Sequence, residues 1–148
     1  MAQLGFTYLH AASVLRNVEL RFSHPQYAMI CQSIELLLKS WLRSFGHSVA
    51  QVTKMGHDLK RLCQQCNDHQ LRWALDEETI GIIQLLSPIH KKRLFSYLET
   101  GRYTLPADIN YVIGKIEGLW LEVYHVAHRA TYGEDAPRQA DRLPPQDN

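Results

Sequence analysis

The sequence predicts an all-α fold, an up-and-down bundle of four to five helices, on three observations. Apolar residues recur at spacings of three and four along most of the 148-residue chain, the period of a helix face. No run alternates apolar and polar residues for long enough to make a strand. Proline, glycine and Asn-Asp breaks separate the periodic stretches and leave only short connections. A chain of this length fits one domain with one core.

The first helix is predicted over about Ala2 to Phe22, where Leu4, Tyr8, Ala11, Ala12, Leu15, Val18 and Phe22 share one face. His24-Pro25 then breaks and restarts the chain, because proline suits a first helical turn whose N–H has no partner anyway. The second helix carries Ile30, Ile34, Leu37, Leu38, Trp41, Leu42 and Phe45, widened by Ala28, Cys31 and Leu36. A stripe that broad predicts a central helix, ended by Gly46 in a left-handed cap.

His47 to Gly56 reads as a polar connection. A shorter third helix follows with Leu59, Leu62, Cys63 and Cys66 on one face, closed by Asn67-Asp68-His69. Asp76-Glu77-Glu78 opens a fourth, with acids at the positive end of the helix dipole. Ser87-Pro88 is predicted to interrupt it, with a second half continuing through Leu94, Phe95 and Leu98 to Gly101. The last helix spans about Ala107 to Arg129 and bears two apolar stripes, one through Ile109, Ile113, Ile116, Trp120, Val123 and Ala127, the other through Val112, Leu119 and Val126. The bundle is therefore assigned to residues 1–132. Residues 133–148 hold three of the six prolines and few large apolar side chains, and read as a disordered tail.

Sixteen basic and fifteen acidic residues give a net charge of +1, which argues against coating nucleic acid by bulk positive charge. No apolar run approaches a membrane span, and the N-terminus lacks the pattern of a signal peptide. Three cysteines make no disulfide framework, so a cytoplasmic chain with reduced thiols is expected. The Cys63-x-x-Cys66 pair, with His57 before it and His69 after it, has the residue types zinc takes, but it shares a face with Leu59 and Leu62 and lacks a second pair. It reads as core, and neither a metal nor a cofactor is expected.

Glu35 and Lys39 stand four apart, the favourable order for an exposed pair on a helix. Were they to face the bundle instead, the pair would mark a site. Asp58 reads as a helix cap beside His57, Lys91-Lys92-Arg93 as a solvated face, and Gly114 with Gly118 as a close helix crossing. Arg102-Tyr103 suits phosphate contact and base stacking, or equally a loop anchor.

Together these segments resemble HEPN domains. Ile34-Glu35-Leu36-Leu37-Leu38-Lys39-Ser40-Trp41-Leu42, ending at Gly46, resembles their second-helix signature. Gly56-His57-Asp58-Leu59-Lys60-Arg61-Leu62 resembles the His-Asp-Leu segment that follows, and Gly101-Arg102-Tyr103 with Pro106 the Arg-Tyr segment before the last helix. Order and spacing agree over roughly residues 5 to 130. The resemblance implies a bundle that pairs into a homodimer and works near nucleotides or RNA, often in toxin–antitoxin or phage-defence systems with a cognate protein partner. The nuclease members carry an Arg, four to six residues, then a His near the last helix. Here His125 and His128 precede Arg129, and Arg43 to His47 leaves only three residues between on another helix.

The expectation is thus a non-catalytic module binding a nucleotide, an RNA or a protein. The alternative is a metal-independent ribonuclease, with His57 or His125 as acid or base and Arg102 or Arg129 on the phosphate. In either case Glu35, Lys39, His57, Asp58, Arg102 and Tyr103 are expected to converge at one end of the bundle, Glu35 orienting Lys39 or His57. The competing expectation is that each caps its own helix. The homodimer is expected from a bundle too thin to bury both stripes of the last helix along with the second, with Gly114 and Gly118 at the closest approach.

Overall fold

The computed structural model describes residues 1–15, 24–68, 75–94, 104–106 and 108–133. They form six helices and, among the described residues, no strand: α1 (Ala2–Leu15), α2 (His24–Ser44), α3 (Val49–Lys54), α4 (Leu59–Asp68), α5 (Glu77–Lys91) and α6 (Ile109–Tyr132). The C-terminal ends of the expected first and fourth helices, and the tail beyond Gly133, lie outside the described residues.

The breadth of its apolar stripe puts α2 at the centre, packed against all five other helices. Ile30, Cys31, Ile34, Leu37, Leu38 and Leu42 have no solvent exposure. Gly46 adopts φ +90°, and the His47 N–H returns to the Leu42 carbonyl at 3.2 Å, the cap expected there. Tyr27, buried near the start of α2, donates its hydroxyl to the Pro106 carbonyl and ties that end to the approach of α6.

Helix α1 runs antiparallel to α2, since Ala2 shares a cavity wall with Ser40 and Ser44 while Gly5 faces Leu37 and Ser33. Its buried face is Ala2, Gly5, Leu9 and Ala12, of which only Ala12 belongs to the expected stripe, and Leu4 is half exposed. Three of these four residues are small, and Leu9 is the one large side chain among them. A Cβ on Gly5 would lie 3.0 Å from Leu37 Cδ2, so the missing side chain lets the helices close.

Three further expectations are corrected. The connection from His47 to Gly56 contains α3, started by a capping box in which Ser48 Oγ accepts from the Gln51 N–H and Gln51 Oε1 accepts from the Ser48 N–H. Pro88 does not interrupt α5, which continues through it to Lys91. A proline this near the C-terminus removes one ladder bond, and its neighbours Ser87 and Ile89 are both buried. Helix α5 itself does not reach Leu94: Arg93 takes a left-handed φ of 56°, and the Leu94 N–H turns back to the Ile89 carbonyl at 3.1 Å, while residues 95–101 lie outside the described residues.

The acid cluster opens α5 as expected, and α6 runs three residues past its expected end, to Tyr132. Asp76 caps α5, accepting from the Thr79 N–H at 2.7 Å. Asp108 caps α6, a residue or two beyond the expected start. Five residues of the two α6 stripes are buried within one chain, Val112, Ile113, Ile116, Leu119 and Val123 being at most 2% exposed, while Ile109, Trp120, Val126 and Ala127 are half-buried. The packing argument for a homodimer is therefore left with these four half-buried side chains. Gly114 and Gly118 do not sit at a crossing, for each is exposed with no atom within 4 Å of its missing Cβ.

Candidate functional site

Glu35 lies mid-way along the buried length of α2, 3% exposed. Taking a carboxylate out of water costs several kcal/mol unless it is paired. Three side chains satisfy it. Lys39 Nζ, one turn on, donates to Oε1 at 2.6 Å. His57 Nδ1, at the start of α4, and His90 Nε2, in the last turn of α5, both lie on Oε2, at 2.8 and 2.7 Å. Burial alone would raise the Glu35 pKa; the bonds from His90, Lys39 and His57 and the lysine charge outweigh it and hold the group at about 2. The expectation of an exposed Glu35–Lys39 pair is thus corrected: both are buried, because the polar pair turns inward to meet two imidazoles.

The partners fix a proton position. An arginine only donates, so the Arg93 Nη2 contact at 2.7 Å makes His57 Nε2 an acceptor. The His57 proton is then on Nδ1, donated to Glu35. The order Glu35–His57–Arg93 is a relay from the core to the surface, with the His57 side chain one-third exposed. Arg93 reaches it from a left-handed backbone, a conformation that costs a non-glycine residue about 1 kcal/mol or more and gathers at functional sites.

Asp58 does what its place in the sequence suggests and something besides. Its Oδ1 accepts from the Arg61 N–H at 3.1 Å, capping α4, and its Oδ2 accepts from Lys91 Nζ at 2.6 Å. Ser87 Oγ, 3.4 Å from the same carboxylate, accepts from the Lys60 N–H. This second network clamps the start of α4 to the end of α5 and so sets His57 against His90, whose rings meet edge to face at 5.5 Å. The run Lys91-Lys92-Arg93 is therefore no plain solvated face.

A cavity of 510 Å³ opens against this cluster. His57, His90 and Arg93 form its polar wall, and Tyr8, Pro25, Ala28, Met29 and Gln32 from α1 and α2 form the other. Two fixed cations, Lys39 and Arg93, stand against one carboxylate, so the site carries excess positive charge.

Of the sequence-expected residues, Glu35, Lys39 and His57 come together here and Asp58 supports them. Arg102 and Tyr103 lie outside the described residues. His125 and Arg129 stand on α6, where His125 contacts the Tyr124 ring and Arg129 is exposed; no bond of the Glu35 cluster reaches them among the described residues. Their neighbour His128 lines a second cavity of 630 Å³ with Ser40, Arg43, Tyr124 and Tyr132.

His90 and Arg93 escaped the sequence reading. Placing a break at Ser87-Pro88 hid that His90 continues the face of Ile83 and Leu86, which is where an inward histidine stands out. The paired cysteines are core residues. Cys63 and Cys66 are buried, Cys66 Sγ donates to the Leu38 carbonyl, and burial pushes the Cys63 thiol up to about 11. No helix among the described residues is long and apolar enough to cross a membrane. No family model, curated protein or solved structure matches this chain.

Proposed function

We propose that the chain is a HEPN-like helical module that binds an anionic ligand, a nucleotide or an RNA phosphate, without turning it over. Arg93 carries this reading. Its guanidinium is held at the cavity wall on a strained backbone, a fork suited to a phosphate, beside an apolar wall with Tyr8 and Met29 that suits a base. Binding is favoured over chemistry because Nε2 of His57 is already taken by Arg93 in the free protein. Calorimetry with nucleoside monophosphates and short RNAs tests it: Arg93→Ala is expected to weaken binding about tenfold or more, as loss of a charge-assisted bond should. Failure of every such ligand to bind would remove the reading.

A second reading rests on the Glu35–His57 pair. A phosphate that drew Arg93 away would uncover Nε2 of an imidazole already oriented by a carboxylate, the arrangement of a general base. Metal-independent cleavage of RNA in the presence of chelator, lost in His57→Ala and kept in His125→Ala, would select this ribonuclease. A homodimer and a cognate protein partner in a toxin–antitoxin or defence setting complete the proposal. The exposed face of α6 through Tyr111, Gly114, Gly118 and Leu121 is the surface on which a second copy would be sought.

A further inference from the structure

Oε2 of Glu35 lies 2.8 Å from Nδ1 of His57 and 2.7 Å from Nε2 of His90, and one potential ligand atom from each of the three residues lies within 4.8 Å of the other two. We propose that these three side chains form a site for a divalent transition-metal ion of the zinc, cobalt or nickel class. The inference goes beyond the anion-binding reading and does not depend on it.

Two imidazoles and one carboxylate are nitrogen-rich for magnesium or calcium, which prefer all-oxygen shells, and suit the later transition metals. The donors come from α2, the start of α4 and the end of α5, so the fold rather than a local loop sets their spacing. The carboxylate is already oriented: Lys39 holds Oε1, turning Oε2 toward both rings, which is how an outer partner positions a ligand. Asp58 with Lys91 and Ser87 fixes the two ring-bearing helix ends against each other. Both histidines also border the 510 Å³ cavity, so an ion with three protein ligands would face open space, as ions that take a fourth ligand do.

Metal binding changes the site in a defined way. In the free protein His57 carries its proton on Nδ1 and accepts from Arg93 at Nε2. An ion on Nδ1 requires the proton on Nε2, a tautomer exchange in which the imidazole stays neutral. His90 must likewise carry its proton on Nδ1 to free Nε2. A protonated Nε2 cannot accept from arginine, so Arg93 must leave. Arg93 and the ion therefore compete for one imidazole, and removing Arg93 also removes a positive charge beside the ion.

The test is titration of the untagged, chelator-treated full chain with Co²⁺, followed by visible d–d absorption, and with Zn²⁺ by calorimetry. One ion per chain is expected. His57→Ala and His90→Ala are each expected to weaken binding by about a hundredfold, the upper end of what even outer-shell losses cause. Arg93→Ala is expected to tighten it, and Lys92→Ala, outside the cluster, to leave it unchanged. Circular dichroism confirms that each variant folds. In the unaltered chain Zn²⁺ should move the ring ¹⁵N signal of His57 Nδ1. Absence of a band at millimolar Co²⁺, binding indifferent to both histidine changes, or a static His57 ring signal would overturn the proposal. Weakening by Arg93→Ala would overturn it as well. No nucleotide is present, so these outcomes are independent of those that judge the anion-binding reading.

Discussion

Glu35 is ionised at neutral pH in a place where a lone carboxylate would be protonated. Its folded-state pKa of about 2 lies below the unfolded value of 4.5, so its contribution is complete above 4.5 and is lost as the pH falls from there toward 2. The shift corresponds to stabilisation on the order of 3 kcal/mol at neutral pH. Glu35→Gln, which leaves Lys39 buried without its counter-charge, is expected to lower stability at pH 7 and to flatten the decline between pH 4.5 and 2, as read by denaturant titrations across that range. An equally steep decline in the variant would place the acid sensitivity elsewhere. Arg93 presents the opposite trade. Arg93→Gly relieves a left-handed φ of 56° and is expected to stabilise the fold by about 1 kcal/mol while losing the contact to His57. A raised Tm together with weakened anion binding is the expected pair of results; a lowered Tm would mean that the side-chain contact outweighs the backbone strain.

Between α1 and α2 the contact depends on an absent side chain. Gly5→Leu would drive a large group into Leu37 and is expected to cost about 1–3 kcal/mol by chemical denaturation, whereas the same change at exposed Gly118 should cost little or stabilise. Equal effects at the two positions would contradict the packing described. This helix pair also marks how far the sequence could be read. Large apolar residues at helical period located α2 and α6 and their buried faces, because burial of such side chains sets the register. In α1 three of the four buried residues, Ala2, Gly5 and Ala12, lack the bulk that gives a periodic signal, and Leu9 alone does not make a stripe. The same holds at the site. Glu35, His57 and Asp58 were legible as polar residues in apolar or capping contexts. His90 was masked by Pro88, since a proline predicts a break from local sterics alone while tertiary contacts on both sides carry α5 through it. The inward turn of Lys39 depends on His57 and His90, 18 and 51 positions along the chain from it, which no local pattern contains.

At the scale of the whole molecule, one chain buries the central residues of both α6 stripes and leaves Ile109, Trp120, Val126 and Ala127 half-buried. Light scattering at micromolar concentration tests the homodimer, and Leu121→Glu on the exposed face of α6 is expected to yield a monomer with an unchanged Tm. A dimer that survives this change uses another surface. Truncation after Tyr132 is expected to shift the Tm by no more than a degree or two, because the composition of the remaining residues offers too little apolar area to offset ordering. The Glu35 cluster has one more consequence, in the order of folding events. Its bonds join residues 22 and 55 positions apart, the second closing only when α5 has docked on the earlier helices. A chain still emerging from synthesis can pair Glu35 with Lys39, then with His57, but it lacks the third partner and the cavity wall until most of the bundle exists. A ligand of this site would therefore recognise finished molecules and pass over nascent ones, and its binding energy would be withheld from every partly built form of the protein.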